Sequence, residues 1–426
     1  MKKLKSILGL LLLMQLLFLS QSCKKDKTLG LIEGTVTDAQ SGSALSDVRI
    51  IVFDVNTNAP AGITVLTNAS GKYSIEIRDG NYYLKLYKQG YNGIPPASMS
   101  AIPVEVIAKE TTVSNYSMTA TGQINDGFIS GRVTEGSEGR GGVLVVASSG
   151  QIGFSSVSDA NGNYYIYNIP IGTYSVKGWK SGYNSATQSA TVNANTETSN
   201  VNLTVTAGAS GSVTGQITFL ATTNIEVDVA LVHPITKEVI PGLNGMTSSF
   251  NYTISNVPNG TFIARASFEN DGKVVDPDWL VKNGEPLVMV ASNSQSVDFS
   301  CTGTVTLNSP TNTVDTKPVI SAAAATFSWT AYPSASDYVI EVMDVNGRLI
   351  WGGFDYSGGT PIKNIIIPSS QTSIQFNSDG NAPYAMLPGH VYRWRVYASK
   401  DAVQSPTGWN LISVSEDLKG LIEIQN

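Results

Sequence analysis

The chain has 426 residues, 42% of them hydrophobic and only 14% charged, and its formal net charge is −6. This length suffices for three or four ordinary domains, and so little charge disfavours long surface helices stabilised by charge pairs. A weakly acidic surface also argues against nucleic acid as a partner, because nucleic-acid binding needs a basic patch that displaces counterions.

The chain begins with the pattern of a secretory signal peptide over residues 1–22. Three lysines precede an apolar stretch at residues 7–19, which ends shortly before Cys23. This stretch is shorter than the about 20 residues that a bilayer-spanning helix needs. The segment resembles a bacterial lipoprotein signal. The resemblance implies that Cys23 is acylated and anchors the chain in the outer membrane, with residues 23–29 as an anchor linker; an ordinary signal with a chance cysteine is the alternative.

The chain has two cysteines, and because the signal assigns Cys23 to acylation, no disulfide is expected at Cys301. The fold is therefore expected to rest on hydrophobic cores, without structural disulfides. Cys301 alternates with Val297 and Phe299, and this spacing predicts a buried thiol rather than a nucleophile.

Three segments of the chain repeat one another, and we call residues 30–120, 127–207 and 211–307 modules 1, 2 and 3. Each module opens with a glycine that has an apolar residue two positions away on either side, namely Gly34, Gly131 and Gly215. The repeat is larger than a solenoid unit, so it predicts separate small domains in series.

The pattern within each module has a period of two residues. Tyr82, Leu84 and Leu86 alternate with Tyr83, Lys85 and Tyr87, as expected of an antiparallel strand with one buried face. Turn clusters rich in Asn, Asp and Gly separate such strands at residues 68–71 and 159–162. The sequence therefore predicts an all-β protein of tandem antiparallel β-sandwiches.

Module 2 carries the motif Asp-x-x-Gly-x-Tyr at residues 159–164, then Ile-Pro-x-Gly-x-Tyr at 169–174 and Gly-Tyr at 182–183. These motifs resemble the carboxypeptidase regulatory-like domain. Module 1 has Asn68 in place of the aspartate, and module 3 has lost the first turn. The resemblance implies a prealbumin-like, seven-stranded sandwich that is not itself catalytic and is grouped with carbohydrate-binding-like folds.

Residues 308–426, here called module 4, follow a different pattern. A Phe-x-Trp strand at 327–329 precedes two strongly alternating strands, and the insert at 351–383 is long. This arrangement resembles a fibronectin type III-like sandwich. Alternation predicts that one face of each strand is buried, namely Tyr338, Ile340, Val342, Tyr392, Trp394 and Val396.

No catalytic motif is evident in the sequence. Neither His233 nor His390 stands in a zinc-peptidase pattern, and there is no Gly-x-Ser-x-Gly elbow. The loops at 159–162 and 377–380 contain only part of a calcium loop, so plain turns are the better interpretation. We therefore expect no enzymatic activity, no metal and no cofactor, although a carboxylate pair of a glycosidase has no sequence spacing that would exclude it.

The best indication of function is a set of aromatic residues that alternate with the core positions: Tyr83, Tyr87, Tyr165, Tyr167 and Trp179. Exposed rings on a rigid sheet suit stacking against sugars, and they equally suit a protein partner. The alternative is that these rings pack against the next module or a loop. The leading hypothesis is an outer-membrane lipoprotein that binds carbohydrate or mediates adhesion. A scaffold subunit holding an envelope protein is the second hypothesis, and a hydrolase with an unrecognised site in module 4 is the weakest.

Overall fold

The computed structural model describes residues 29–55, 60–95, 103–122, 125–219, 227–247, 250–267, 272–313, 317–344, 348–416 and 419–425. The signal peptide and Cys23 lie outside the described residues. Within these ranges, no helix is long and apolar enough to cross a membrane.

Module 1 is a sandwich of two four-stranded sheets. Its strands are β1 (Leu29–Asp38), β2 (Arg49–Asp54), β3 (Pro60–Leu66), β4 (Lys72–Arg78), β5 (Gly80–Tyr87), β6 (Val104–Val106), β7 (Thr111–Val113) and β8 (Tyr116–Met118). One sheet has the order β4-β1-β7, with β8 also on β1, and the other has the order β3-β2-β5-β6. Tyr82, Leu84 and Leu86 lie between the sheets as predicted.

Module 2 has the same plan. Its strands are β9 (Gly127–Glu135), β10 (Glu138–Gly139), β11 (Leu144–Ser149), β12 (Ile152–Val157), β13 (Asn163–Ile169), β14 (Gly172–Trp179), β15 (Tyr183–Ser185), β16 (Thr187–Val192), β17 (Glu197–Thr198) and β18 (Leu203–Ala207). One sheet runs β10-β9-β18-β15, with β13 and β17 also on β9, and the other runs β12-β11-β14-β16.

Module 3 repeats this topology although it has lost part of the sequence motifs. Its elements are β19 (Gly211–Phe219), β20 (Val227–Val232), β21 (Val239–Thr247), β22 (Asn251–Val257), β23 (Gly260–Ser267), β24 (Lys273–Val275), α1 (Pro277–Asn283), β25 (Leu287–Val290), β26 (Ser294–Ser296) and β27 (Phe299–Gly303). In all three modules the first strand pairs antiparallel with a long strand and parallel with two short ones. Module 3 is thus a structural copy of the repeat.

Helix α1 is an element that the β pattern did not predict. Asp276 caps it by accepting a hydrogen bond from the amide of Asp278 at 2.9 Å. Pro277 occupies the first turn and Gly284 ends the helix with a positive φ of 75°.

The repeated glycine and tyrosine of each module contact one another in the structure. A Cβ atom on Gly131 would lie 2.1 Å from the carbonyl oxygen of Val201 and 2.9 Å from the phenol oxygen of Tyr164. The Tyr164 phenol donates a hydrogen bond to that same carbonyl. Modules 1 and 3 repeat this contact in the triads Gly34–Tyr73–Ser114 and Gly215–Tyr252–Val297. The motif therefore encodes a close approach of strands that only glycine allows.

Module 4 is a different sandwich. Its strands are β28 (Leu307–Ser309), β29 (Val319–Ile320), β30 (Thr326–Trp329), β31 (Asp337–Asp344), β32 (Leu349–Gly352), β33 (Phe354–Asp355), β34 (Ile362–Lys363), β35 (Ile367–Pro368), β36 (Ser373–Gln375), β37 (Val391–Asp401), β38 (Trp409–Val414) and β39 (Leu421–Ile424), with a 3-10 turn at Ala322–Ala324. A sheet β28-β30-β36 accompanies a sheet β29-β39-β37-β31-β32, in which β35 and β38 pair with β31 and β37. The six residues predicted to be buried are all at most 2% exposed. The long insert forms the ribbon β33-β34 and the strands β35 and β36.

Modules 1, 2 and 3 are joined by a shared apolar cluster, which the expectation of separate domains did not include. Side chains that point away from the sandwich interiors of modules 1 and 2 join the core of module 3 in one continuous cluster. They are Ile51, Phe53, Tyr83, Leu144, Val146, Val157 and Trp179. The three modules therefore stabilise one another by burying apolar surface between them.

Candidate ligand-binding surface

Three of the five candidate aromatic residues lie between modules rather than in solvent. Tyr83 is 7% exposed and Trp179 is 9% exposed, and Tyr87 is half-buried and packs against the same cluster. The expectation that these rings are exposed is therefore wrong. Alternation correctly pointed them away from their own sandwich interior, but a neighbouring module covers that outer face. The alternative interpretation, packing against the next module, holds for these three rings.

Trp179 of module 2 contacts module 3 directly. Its ring meets Phe262 edge-on at a centroid distance of 5.7 Å and meets His233 at 5.4 Å. A Cβ atom on Gly260 would lie 2.7 Å from the indole. Gly260 thus makes room for the tryptophan, and the junction between modules 2 and 3 leaves no face of this ring for a ligand.

A buried ion pair joins modules 1 and 3. The ammonium of Lys85 contacts the carboxylate of Glu238, and both side chains are less than a tenth exposed. The Lys85 ammonium also lies 5.0 Å from the centroid of the Phe53 ring. Burial, with a smaller contribution from the Glu238 charge, raises the pKa of Tyr83. This region is an interface between modules 1 and 3.

His233 lies in the same interface. The pKa of its imidazole is lowered from 6.5 to about 4, mainly by burial and to a smaller extent by the nearby ammonium groups of Lys177 and Lys237. Its Nδ1 atom accepts a hydrogen bond from the Thr236 amide at 3.3 Å. The imidazole is therefore neutral at neutral pH, and it packs against the Trp179 ring.

Tyr165 and Tyr167 differ from the other three, because neither belongs to the shared cluster; both are half-buried on the outer face of β13. Their rings lie 6.3 Å apart at an interplanar angle of 16°, and Phe128 of the adjacent β9 lies 5.7 Å from Tyr167. We call Phe128, Tyr165 and Tyr167 the tyrosine surface. Sequence reasoning missed Phe128, although it precedes the inward Ile129 and alternation would have found it.

A turn places β13 in this position. The Asp159 carboxylate accepts hydrogen bonds from the amides of Asn161 and Asn163, both at 2.9 Å. This carboxylate therefore closes the turn that precedes the strand. Tyr164 and Ile166 then point into the core, and Tyr165 and Tyr167 point out.

Polar side chains lie beside the tyrosine surface. Tyr165 pairs across the strands with Ser130, whose hydroxyl donates to the Glu197 carboxylate. Arg132 lies two residues further along β9, is exposed, and donates from Nε to the Asn161 carbonyl at 3.0 Å. The face thus combines parallel rings with hydrogen-bonding groups, which is what a sugar ring with hydroxyl groups requires.

Module 1 also contributes to this surface. The guanidinium carbon of Arg49 lies 4.2 Å from the centroid of the Tyr165 ring. The junction nearby is fixed by Asn168. Its backbone N–H donates to the Gln89 side chain at 2.9 Å, and its side-chain amide donates to the Tyr91 carbonyl at 2.7 Å. Arg49 could not be found from sequence, because it belongs to another module.

The structure also shows the surroundings of the other residues that the sequence analysis considered for a chemical role. Cys301 is fully buried in the core of module 3, as predicted. Asp379 accepts a hydrogen bond from the indole N–H of Trp351 at 2.7 Å and so fastens the insert of module 4. Among the described residues, no three His, Cys, Asp or Glu side chains are grouped so as to hold a metal ion.

Comparison with known proteins assigns modules 1 and 2. Residues 31–119 and 128–207 each match the model of the carboxypeptidase regulatory-like domain, which confirms the resemblance in the sequence. A chitinase, ChiA of Flavobacterium johnsoniae, is 28% identical over 198 residues, which cover 43% of this chain but only 12% of the enzyme.

Two solved structures show weaker similarity. The Bacillus anthracis TIE protein is 16% identical, with 64% of this chain and 50% of that chain covered and a TM-score of 0.19. The shaft pilin SpaA of Lactobacillus rhamnosus GG is 13% identical, with 42% and 98% covered and a TM-score of 0.18. Scores this low do not indicate a shared arrangement of modules.

Proposed function

Because residues 31–119 and 128–207 are carboxypeptidase regulatory-like domains, we propose that the protein is a non-catalytic binding protein of the cell envelope whose module 2 binds polysaccharide. The observation that carries this proposal is the tyrosine surface, a pair of nearly parallel, half-exposed rings at 6.3 Å with Phe128 beside them. The axial C–H groups of a pyranose favour a flat aromatic face, and a rigid β-sheet holds such faces in place at little entropic cost.

The segment shared with the chitinase also supports a role toward polysaccharide. It corresponds to only 12% of that enzyme's length, so an accessory segment is a better parallel than a catalytic one.

The place of the protein is part of the proposal. Acylation of Cys23 would tether the modules to the outer membrane, since several acyl chains on one residue give durable anchoring. A labelled fatty acid should be incorporated by the parent chain and not by Cys23→Ser, and the variant should appear in the soluble fraction. Protease treatment of intact cells would then show whether the modules face outward. Membrane retention of Cys23→Ser without label would contradict the anchor.

Binding is tested by affinity electrophoresis of the mature chain in gels that contain chitin derivatives, xylan or polygalacturonate. We expect the parent to be retarded by at least one polymer and the double variant Tyr165→Ala/Tyr167→Ala to lose at least about tenfold in affinity, since each ring contact contributes on the order of 1 kcal/mol. The matched control is Tyr384→Ala, which removes another tyrosine stacked on an arginine, in module 4. No retardation of the parent by any polymer would contradict the proposal.

One observation favours the second candidate, a scaffold subunit that holds a protein partner. Leu287 and Met289 on β25, an edge strand of module 3, are 66% and 70% exposed. Adjacent exposed apolar side chains on an edge strand are a common feature of protein contacts. This candidate predicts that Leu287→Ser/Met289→Ser abolishes a cross-link to an envelope protein that Tyr165→Ala/Tyr167→Ala leaves intact.

A further inference from the structure

Arg49 differs from the other arginines that lie over tyrosine rings, because it has no carboxylate partner among the described residues. Among the described residues, three arginines lie over tyrosine rings. Arg140 over Tyr183 pairs with Glu135, and Arg348 over Tyr384 pairs with Asp344 at 3.1 Å. Arg49 over Tyr165 has no such pair within the described part of the chain, and its buried Nε has no hydrogen-bond partner there.

We propose that the tyrosine surface binds an acidic polysaccharide, one that carries uronate carboxylates, and that modules 1 and 2 build the site together. This inference rests on the proposed function and names the class of its ligand. At the two other stacks the protein supplies a carboxylate to the arginine, and at Arg49 the ligand supplies it. A guanidinium binds a carboxylate through two parallel hydrogen bonds while its face remains stacked on the ring.

The charges around the surface support an anionic ligand. Arg132 is exposed on the same face and, within the described residues, also lacks a carboxylate partner. One negative charge, that of Glu197, lies beside Phe128 and accepts a hydrogen bond from the Ser130 hydroxyl, whereas the charge of Asp126 acts on Tyr174 at the end of the module. Arg49 and Arg132, which have no carboxylate partner among the described residues, thus place two positive charges beside the half-buried rings, and they complement a polymer with regularly spaced carboxylates.

The junction between modules 1 and 2 keeps the Arg49 side chain in position for the ligand. The Asn168 backbone N–H donates to the Gln89 side chain across the junction, and the Gly90 amide donates to the Asn168 side chain. Gln89 also donates to the Asp126 carbonyl at 2.9 Å. A ligand that binds a fixed pair of groups loses less entropy on binding, so the contacts between modules would contribute to affinity.

The probes are polygalacturonate, alginate and the carboxyl-reduced form of each, in which neutral hydroxymethyl groups replace the carboxylates. We expect the acidic form of at least one polymer to bind the full mature chain about tenfold or more tightly than its reduced form, and added salt to remove this difference. R49Q should lower affinity for the acidic form about tenfold and leave that for the reduced form unchanged. R49K should restore only part of the loss, because an ammonium lacks the planar pair of donors.

Two further variants distinguish a direct effect on ligand binding from a general effect on the protein's structure. R132Q, at an exposed position away from the junction, should weaken binding of the acidic form alone. R348Q, at the paired stack of module 4, should change nothing. Equal binding of acidic and reduced forms, or an equal loss of both in R49Q, would overturn this inference and leave the proposed function in place. If the protein binds neither the acidic nor the reduced form, and binds no neutral polymer either, both this inference and the proposed function are contradicted.

Discussion

Lys85 of module 1 and Glu238 of module 3 form an ion pair inside an apolar interface, with side chains 9% and 8% exposed. Burial of two charges costs free energy that their mutual attraction only partly offsets. Such a pair therefore contributes less to total stability than to specificity, since it disfavours any other docking of these modules. The pair lies where these faces of modules 1 and 3 meet.

Removing one partner of this pair should destabilise the interface strongly. We expect K85M or E238L alone to reduce the free energy of unfolding by about 3 to 5 kcal/mol, because the remaining charge is buried without its partner. The double variant K85M/E238L should recover most of the loss. Denaturant unfolding of the four proteins in a double-mutant cycle measures the coupling. Single variants as stable as the parent would show that the pair is not formed.

The lowered pKa of His233 predicts a loss of stability in mild acid. The pKa is about 4 in the folded protein and 6.5 in the unfolded chain, so the unfolded state binds more protons between these values. The stabilisation is complete above pH 6.5 and is lost as the pH falls toward 4, by on the order of 3 kcal/mol. Thermal midpoints from pH 7 to 4.5 should therefore fall more steeply for the parent than for H233Q. Parallel curves for the two proteins would refute the assignment.

The close approach at Gly131 predicts that even one methyl group is not tolerated. G131A should lower the stability of module 2 by about 2 to 3 kcal/mol, because the Val201 carbonyl and the Tyr164 ring must move. The matched control is G358A, where an added Cβ has open space and φ is not positive. Chemical denaturation compares the two variants. Equal stability of G131A and G358A would contradict the packing described for the repeat.

The hydrogen bonds of helix α1 to module 4 predict that a substitution of Lys282 weakens the junction of modules 3 and 4. The Lys282 ammonium donates to the Trp409 carbonyl at 2.9 Å and to the Asn410 side chain at 2.8 Å. K282M keeps the apolar stem but loses these charged hydrogen bonds, which should weaken the junction by about 2 kcal/mol. Limited proteolysis between the modules should become faster, and it should not in the exposed control K400M. Unchanged cleavage of K282M would show that the helix does not hold the junction.

The sequence predicted the interior of each sandwich well, for a physical reason. A strand has a period of two, so the alternation of Tyr82, Leu84 and Leu86 specifies which face meets the opposite sheet. The same held for Tyr338 and Trp394 in module 4. The repeated glycine and tyrosine were also visible as a pattern, although their mutual contact was not.

What lies against the outer face could not be predicted in the same way. Alternation treats Tyr83 and Tyr165 alike, because both point away from their own core. The structure covers Tyr83 with module 3 and leaves Tyr165 half-exposed beside Arg49 of module 1. These outcomes depend on contacts between modules that are distant in sequence, as the pairing of Lys85 with Glu238 shows.

The most direct test of the account is hydroxyl-radical footprinting of the mature chain with and without the polysaccharide that retards it. We expect oxidation of Phe128, Tyr165 and Tyr167 to fall on binding, while oxidation of the exposed Trp279 and Tyr384 in the same molecule stays unchanged and serves as the reference. Protection at Trp279 or Tyr384 with no change at the tyrosine surface would contradict the account.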